Sequence, residues 1–207
     1  MTLVEVLLGV LLLTLVGALA FSLVLGAQRV MERQSDWADT VQPASAGLDV
    51  LVQDLVCCLI PPGGPAPFFR LAQGSEGSTL SCVTAAPPEE GVAPVPLSRF
   101  RVLRVDWGLE PASDLPGGRA LGRTARPERV AGEVDEKRFR LAGVTGFEVR
   151  VYDPAKRAWV ETWNTGPGGA LPPAARVTLT VRTSRGVETL STDTVIPAGL
   201  TIGAASR

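Results

Sequence analysis

An uncharged and strongly apolar run lies near the N-terminus, from Val6 to Gln28. Its first 20 residues, which end at Leu25, form a helix of about 30 Å if they are α-helical, and this is the thickness of a bilayer core. The run therefore predicts a membrane-spanning helix that includes Val6, Leu13, Phe21 and Leu25.

Two simpler interpretations of this run are a cleaved secretory signal and a plain membrane anchor. A cleaved secretory signal would use the small residues around Ala18 and Ala20, but such signals have a basic start and an apolar stretch of about 7 to 15 residues. Here no Lys or Arg precedes Arg29, and the early charge is Glu5. A plain membrane anchor would leave Glu5 at the interface, and Arg29 with Arg33 would orient that end toward the cytoplasm.

The composition argues against nucleic-acid binding and against catalysis. Twenty basic residues balance 21 acidic ones for a net charge of -1, so no basic surface is indicated. Histidine is absent, which removes the commonest general base and metal ligand. The acids at 133, 135 and 136 lack the ligand spacing of a calcium loop. We therefore predict a non-enzymatic protein with no catalytic residue, cofactor or metal.

Three cysteines occur at two places in the chain. Cys57 and Cys58 are adjacent, and Cys82 lies 24 residues beyond the second. Neighbouring cysteines rarely bridge each other, so in an oxidising compartment one of the pair can join Cys82. The pair Cys58 and Cys82 is the candidate disulfide, and three reduced cysteines that act as small buried hydrophobes are the alternative.

An amphipathic helix is predicted to follow the apolar run. Its stripe has the i, i+3, i+4 spacing of one helical face and consists of Leu48, Leu51, Val52, Leu55, Val56 and Leu59. Pro43 removes a backbone donor, so we expect a kink or short break near residues 39–43. The prolines and glycines at 61–64 predict that the helix ends near Leu59.

From about residue 66 the apolar periodicity changes to two, which is typical of half-buried strands. Strands are predicted near 68–71, 79–84, 100–107, 138–141, 147–152, 176–182 and 187–196, with a hairpin at 184–186. Loops are predicted at 61–67, 85–96, 111–120 and 164–173. The chain is thus expected to be α+β, with residues 1–28 as the membrane half of the helix, 29–60 as its amphipathic half, and 61–207 as a β-rich head.

The lead Thr2-Leu3-Val4-Glu5 before the apolar run resembles the N-terminus of type IV pilins and type II secretion pseudopilins. The resemblance implies a pilin-like fold, a long helix packed on an antiparallel β-rich head. It also implies that prepilin peptidase cuts before Met1 and that the new amine is methylated, although Met1 as a plain initiator stays open. In that family Glu5 serves assembly, since a carboxylate there can meet the amine of a neighbouring subunit.

A second resemblance concerns residues 141–181 and is to the minor pseudopilins of the J type. The matching positions are Val144, Phe147, Val149, Tyr152, Asp153, Trp163, Leu171, Pro172, Ala175, Val177 and Leu179. The J type implies a single-pass inner-membrane protein with a periplasmic head, located at the pseudopilus tip after assembly with the I, K and H types and the major pseudopilin. A minor pilin of a type IV pilus or competence system, and a membrane-anchored periplasmic binding module, remain the alternatives.

Overall fold

The computed structural model describes residues 3–62, 67–86, 101–113, 118–128, 137–166, 168–183 and 186–202. The chain divides into two compact units, Met1–Asp39 and Thr40–Arg207. The first unit contains most of the N-terminal helix, and the second contains the amphipathic helix together with every strand described. Residues 40–60 of the predicted amphipathic half therefore belong to the β-rich unit, whereas its residues 29–39 belong to the first unit.

The helical elements follow one another at the N-terminus, with one short helix near the C-terminus. They are α1 (Leu3–Asp36), a π-helical turn (Trp37–Val41), α2 (Gln42–Val56) and α3 (Pro197–Ile202). The irregularity expected around Pro43 takes the form of the π-helical turn, because proline at the start of α2 has no N–H for the helical ladder. Proline is tolerated in the first turn of the α-helix that follows.

Ten strands are found among the described residues, and all pair antiparallel. They are β1 (Phe69–Gly74), β2 (Gly77–Ala86), β3 (Arg101–Pro111), β4 (Arg119–Pro127), β5 (Lys137–Ala142), β6 (Val144–Asp153), β7 (Ala158–Val160), β8 (Trp163–Thr165), β9 (Ala174–Thr183) and β10 (Gly186–Val195). Sheet A has the order β5-β4-β3-β2-β1-β8, and sheet B has the order β10-β9-β6-β7. The predicted α+β class is confirmed as an N-terminal apolar helix with an antiparallel β-rich domain.

The strand predictions are confirmed where the apolar alternation was clear. In β9 the residues that alternate inward are fully buried, namely Ala175, Val177, Leu179 and Val181. The expected hairpin pairs β9 with β10 from Gly186 opposite Thr183 to Val195 opposite Ala174. Residues 100, 184 and 185 of the predicted strand and turn lie outside the described residues.

One long strand was not predicted. Residues 119–127 form β4 in the interior of sheet A. The sequence predicts a loop up to residue 120 and no strand at 121–127. The inward positions of β4 are Leu121, Arg123 and Ala125, so a charged residue interrupts the apolar alternation. Of the expected loop at 111–120, residue 111 belongs to β3 and residues 119 and 120 belong to β4, while residues 114–117 lie outside the described residues.

Helix α2 ends at Val56, three residues before the predicted Leu59. The chain beyond the helix pairs with β2, since Leu59 N donates to Val83 O at 2.9 Å and Ala85 N donates to Cys57 O at 3.1 Å. A backbone that already pairs with a strand cannot also continue the helical ladder. Val56, assigned to the apolar stripe, is exposed.

The core of the second unit lies between the two sheets and α2. Leu51 and Leu55 of α2 are fully buried and belong to one apolar cluster with residues from both sheets. Sheet B is tied to sheet A by Val149 N, which donates to Ser78 Oγ at 2.8 Å. The backbone of the two sheets also approaches closely at Gly77, whose absent side chain would meet Phe147 O.

Candidate functional site

The apolar surface of α1 is the most unusual surface in the described part of the chain. Residues Leu7–Met31 form a 25-residue stretch that contains an 18-residue window of mean hydropathy 2.6, and none of it is buried. At about 1.5 Å per residue the stretch is about 37 Å long, which exceeds the roughly 30 Å of a bilayer core. Among the described residues this is the one helix long and apolar enough to cross a membrane.

The predicted membrane-helix residues lie on this surface where their side chains are described. Leu13 is 72% exposed, Phe21 is 65% exposed and Leu25 is 37% exposed. Val6 and Glu5 lie in α1, but their side chains are outside the described residues, as is Met1 altogether. The assembly role of Glu5 and the processing of Met1 therefore remain predictions.

The two hydroxyl side chains in the apolar stretch, Thr14 and Ser22, are satisfied by the helix itself. Thr14 Oγ1 donates to Leu11 O at 2.8 Å, and Ser22 Oγ donates to Leu19 O at 2.8 Å. A hydroxyl that bonds to the preceding turn needs neither water nor a neighbouring helix. These residues consequently do not prevent the stretch from lying in hydrocarbon.

Within the second unit, α2 is fastened to sheet A by a buried carboxylate, Asp54. Asp54 Oδ2 accepts from Trp107 Nε1 at 2.9 Å and from Arg123 Nε at 2.8 Å, while Asp54 Oδ1 accepts from Arg123 Nη2 at 2.9 Å. The hydrogen bond to Asp54 raises the pKa of the Arg123 guanidinium. The Arg123 guanidinium also lies 5.8 Å from the centre of the Trp107 ring. We call these three residues the Asp54 cluster.

Neither Asp54 nor its partners are among the candidate site residues that the sequence predicts. A signal was present, because Asp54 lies on the apolar stripe between Leu51 and Leu55 and would be buried there. A buried acid requires a cation or several donors. Nothing in the sequence alone shows that β4 supplies the cation and β3 the indole.

A second partly buried ion pair joins the end of β4 to β3. Arg104 Nε donates to Glu128 Oε2 at 2.9 Å, and Arg104 Nη2 donates to Glu128 Oε1 at 2.8 Å. Arg104 Nη1 also donates to Pro67 O at 2.8 Å, which holds the segment before β1. These contacts hold the segment before β1 and the end of β4 to β3.

The three cysteines are thiols in the structure. Cys58 and Cys82 are both buried in the main core, and their side chains are hydrogen-bonded to each other. This hydrogen bond, followed by burial, raises the pKa of the Cys58 thiol well above its ordinary value. Cys58 Sγ also lies 3.2 Å from Asp54 O. The two residues named as the candidate disulfide are thus neighbours, and their oxidation remains a prediction.

A groove of about 480 Å³ crosses the outer face of sheet A. Its floor contains two glycines that face each other across strands, Gly108 and Gly122. Charged side chains on its rim are engaged in ion pairs, Arg140 with Glu110 at 2.7 Å and Arg126 with Asp106 at 3.3 Å. Among the residues that the structure describes, no group of three or more His, Cys, Asp or Glu could hold a metal ion.

The outer face of sheet B carries aromatic and charged side chains. The Arg176 guanidinium lies 4.7 Å from the centre of the Trp159 ring, and Tyr152 meets the same ring edge to face at 5.7 Å. Arg176 also forms a bidentate pair with Asp193, which lowers the pKa of that carboxyl. Trp163, by contrast, packs against the core and donates to Thr165 Oγ1 at 2.9 Å.

Fold and surface together define an α+β protein with an exposed, bilayer-length apolar helix and an antiparallel β-rich domain. A comparison of the chain with protein-family models and with curated proteins finds no match.

Proposed function

We propose that this protein is a structural subunit of a secretion filament, a minor pseudopilin of the J type in type II secretion. The observation that carries the proposal is the 25-residue apolar stretch of α1, none of which is buried. A subunit of this kind resides in the inner membrane as a single-pass protein and presents its β-rich domain in the periplasm. On assembly the same apolar surface packs into the filament core.

The order of elements in the second unit supports the proposal. An amphipathic helix, α2, packs by one face on antiparallel strands, as the resemblance to pilin-like proteins implies. The residues that resemble the J type fall on β6, β8 and β9 and on the segment between the last two. Phe147, Val149, Val177 and Leu179 among them are buried in the core.

Glu5 has a physical role in this proposal. A lone charge near the bilayer core costs roughly 2.5 to 3.5 kcal/mol on insertion scales, but a charge paired with a neighbour's amine is tolerated. In a filament of staggered subunits, the Glu5 carboxylate meets the amine of Met1 in the adjacent copy or partner. Such a pair sets the axial register of the helices as well as their stability.

The partners in this proposal are the minor pseudopilins of the I, K and H types, the major pseudopilin, and prepilin peptidase. Together the minor subunits form the tip complex that initiates the pseudopilus and thereby helps to export folded proteins across the outer membrane. The energy for assembly comes from a separate ATPase.

The first test is the intact mass of the full-length protein isolated from membranes. N-methylated Met1 as the first residue supports the proposal, whereas a cut after Ala20 or an unmethylated initiator contradicts it. The measurement requires no variant and so cannot be confused by misfolding.

The second test is co-isolation of the full-length protein with I-type and K-type pseudopilins. Glu5→Ala should reduce co-isolation at least tenfold while leaving the protein in the membrane. Glu32→Ala, which removes an acid from the same helix beyond the apolar run, should leave co-isolation unchanged. Wild-type behaviour of Glu5→Ala would favour a membrane-anchored binding module, and capture of pilus subunits instead would favour a type IV pilus or competence system.

A further inference from the structure

Strand β10 forms one edge of sheet B along its whole length. It pairs with β9 in an unbroken register of ten residue pairs, and no other described strand pairs with its second edge. The strand contains no proline or lysine, and no bulge interrupts its ladder; its two charged side chains are Glu188 on the inner face and Asp193, which is paired with Arg176 on the outer face. Natural proteins commonly use prolines, lysines and bulges to protect an edge, and a regular edge without them is a template for another strand.

The side chains of β10 divide between the two faces of sheet B. Asp193 pairs with Arg176, and Ser191 Oγ lies 3.2 Å from Thr178 Oγ1, so these residues face outward. Val187 and Val195 share that outer face because strand side chains alternate. They are 62% and 52% exposed and lie four residues before and four residues after Ser191.

We propose that a second copy of this chain pairs with β10 through its own β10, antiparallel, with a two-fold axis at Ser191. Residues directly opposite in an antiparallel pair lie on the same face, so a two-fold pair that continues the sheet must be centred on a residue. Glu188 and Asp193 lie on opposite faces of the strand, so this rule excludes a register that places them opposite each other. Repulsion between the two like charges would also disfavour that register.

Charge and apolar matching then select Ser191 as the centre. In this register Val187 faces the second copy's Val195 at both ends of the strand, and each acid faces a threonine, Glu188 opposite Thr194 and Asp193 opposite Thr189. A centre at Leu190 would instead place Val187 opposite Asp193. Pairs of β-branched apolar residues across strands stabilise a sheet by about 0.2 to 1 kcal/mol each.

The proposal is independent of the secretion role, because it rests on β10 alone. Main-chain hydrogen bonds supply the attraction and the two valine pairs set the register. The resulting eight-stranded sheet would contain two copies of sheet B.

A cysteine at the two-fold centre tests the geometry directly. In the proposed dimer the two Ser191 Cα atoms lie about 4.5 to 5.5 Å apart, within the roughly 4.4 to 6.8 Å that a disulfide spans. Full-length protein carrying Cys57→Ser and Ser191→Cys should give a disulfide-linked dimer on mild oxidation, seen on a non-reducing gel. The Cys57→Ser protein without the second change should give none.

Two matched variants separate this register from random collision. Thr189→Cys lies on the same strand and face, but in the proposed pair its two copies are offset by about 13 Å along the strand. Thr178→Cys lies on β9, so its two copies are about 14 Å apart across three strand spacings. Ser191→Cys should give at least fivefold more dimer than either variant, and adding Val187→Lys should reduce its yield at least fivefold.

Three outcomes would overturn the proposal. Ser191→Cys gives no dimer, or it gives no more dimer than Thr189→Cys and Thr178→Cys, or it links to a protein of a different mass. The last outcome would assign the edge to an extended strand of another protein.

Discussion

Asp54 is an acid on the apolar stripe of α2, and its burial is tolerated because two partners from distant strands meet it. Trp107 comes from β3 and Arg123 from β4, so the three residues join one helix to two neighbouring strands. A fork of two hydrogen bonds from the guanidinium fixes both the rotation of α2 and its position along the sheet. The Asp54 cluster thus specifies one packing of α2 among those that an apolar stripe alone would allow.

Asp54→Ala should lower the free energy of unfolding by about 3 kcal/mol, because it leaves the Arg123 guanidinium largely buried without its counter-ion. Urea unfolding of the full-length protein in detergent, followed by tryptophan fluorescence, measures the change. Asp49→Ala on the exposed side of α2 is the control and should change the value by less than about 0.5 kcal/mol. Equal effects of the two variants would contradict a specific role for the cluster.

The Cys58 thiol should make the fold sensitive to alkaline pH. Its pKa is raised above the ordinary 9.0 by the hydrogen bond to Cys82 and by burial, so above pH 9 the folded protein holds a proton that the unfolded chain releases. Below pH 9 the thiol is protonated in both the folded and the unfolded state, so the stability of the fold does not depend on its titration. Above pH 9 the unfolded chain releases the proton first, and the free energy of unfolding falls as pH rises toward the folded pKa. Urea unfolding at pH 7 and at pH 10 measures the change. The free energy of unfolding should fall less between the two pH values for Cys58→Ser than for the wild type. Equal falls in the two proteins would contradict a role for the Cys58 thiol.

At the level of strands and helices, a close approach of the two sheets imposes glycine at one position. Gly77 begins β2 with a φ of +126°, and a Cβ there would lie 2.7 Å from Phe147 O of β6. Both the backbone conformation and the space therefore exclude a side chain. Sheets A and B pack at this point by backbone against backbone.

Gly77→Ala should destabilise the protein more than Gly186→Ala. Gly186 begins β10 with a similar φ of +140°, but a Cβ there would have no atom within 4 Å. Gly186→Ala therefore carries only the cost of the unfavourable backbone conformation. Displacing backbone in a packed core adds roughly 1 to 3 kcal/mol to the cost at Gly77. Thermal unfolding by circular dichroism compares the two variants, and equal shifts would show that the sheets separate there without cost.

Strand β4 illustrates why one element escaped prediction. Its inward-facing Arg123 interrupts the apolar alternation, and the segment also contains Gly122 and two further arginines. A pattern of this kind indicates a polar loop when it is judged alone. It becomes an interior strand because Asp54 neutralises the inward charge while β3 and β5 satisfy both backbone edges.

Across the chain as a whole, the two units differ in where their apolar side chains lie. The Thr40–Arg207 unit encloses its own apolar core, whereas the Met1–Asp39 unit exposes the apolar stretch of α1. Such a surface is stable only where lipid or other apolar helices surround it. We therefore expect α1 to decide where the protein resides, and the β-rich unit to fold around its own core.

Replacing Leu13 and Val16 together by lysine should release the protein from membranes, because each charge costs about 2.5 to 3.5 kcal/mol near the centre of a span. Both side chains are exposed, so the fold of the second unit is unaffected. Extraction at alkaline pH followed by sedimentation measures the membrane-bound fraction. Val187 and Leu200, exposed apolar residues outside α1, give the matched double-lysine control, and release of that control as well would contradict the prediction.

Local pattern determined the apolar helix, the amphipathic α2 and the strands with clear alternation, because hydrophobic periodicity is carried by residues adjacent in the chain. Contacts between distant residues decided the rest. The pairing of residues 58–59 with β2 ended α2 at Val56, and Arg123 became an inward residue of β4 only because Asp54 lies opposite. The position of β10 at a sheet edge likewise depends on strand order, which no local spacing contains.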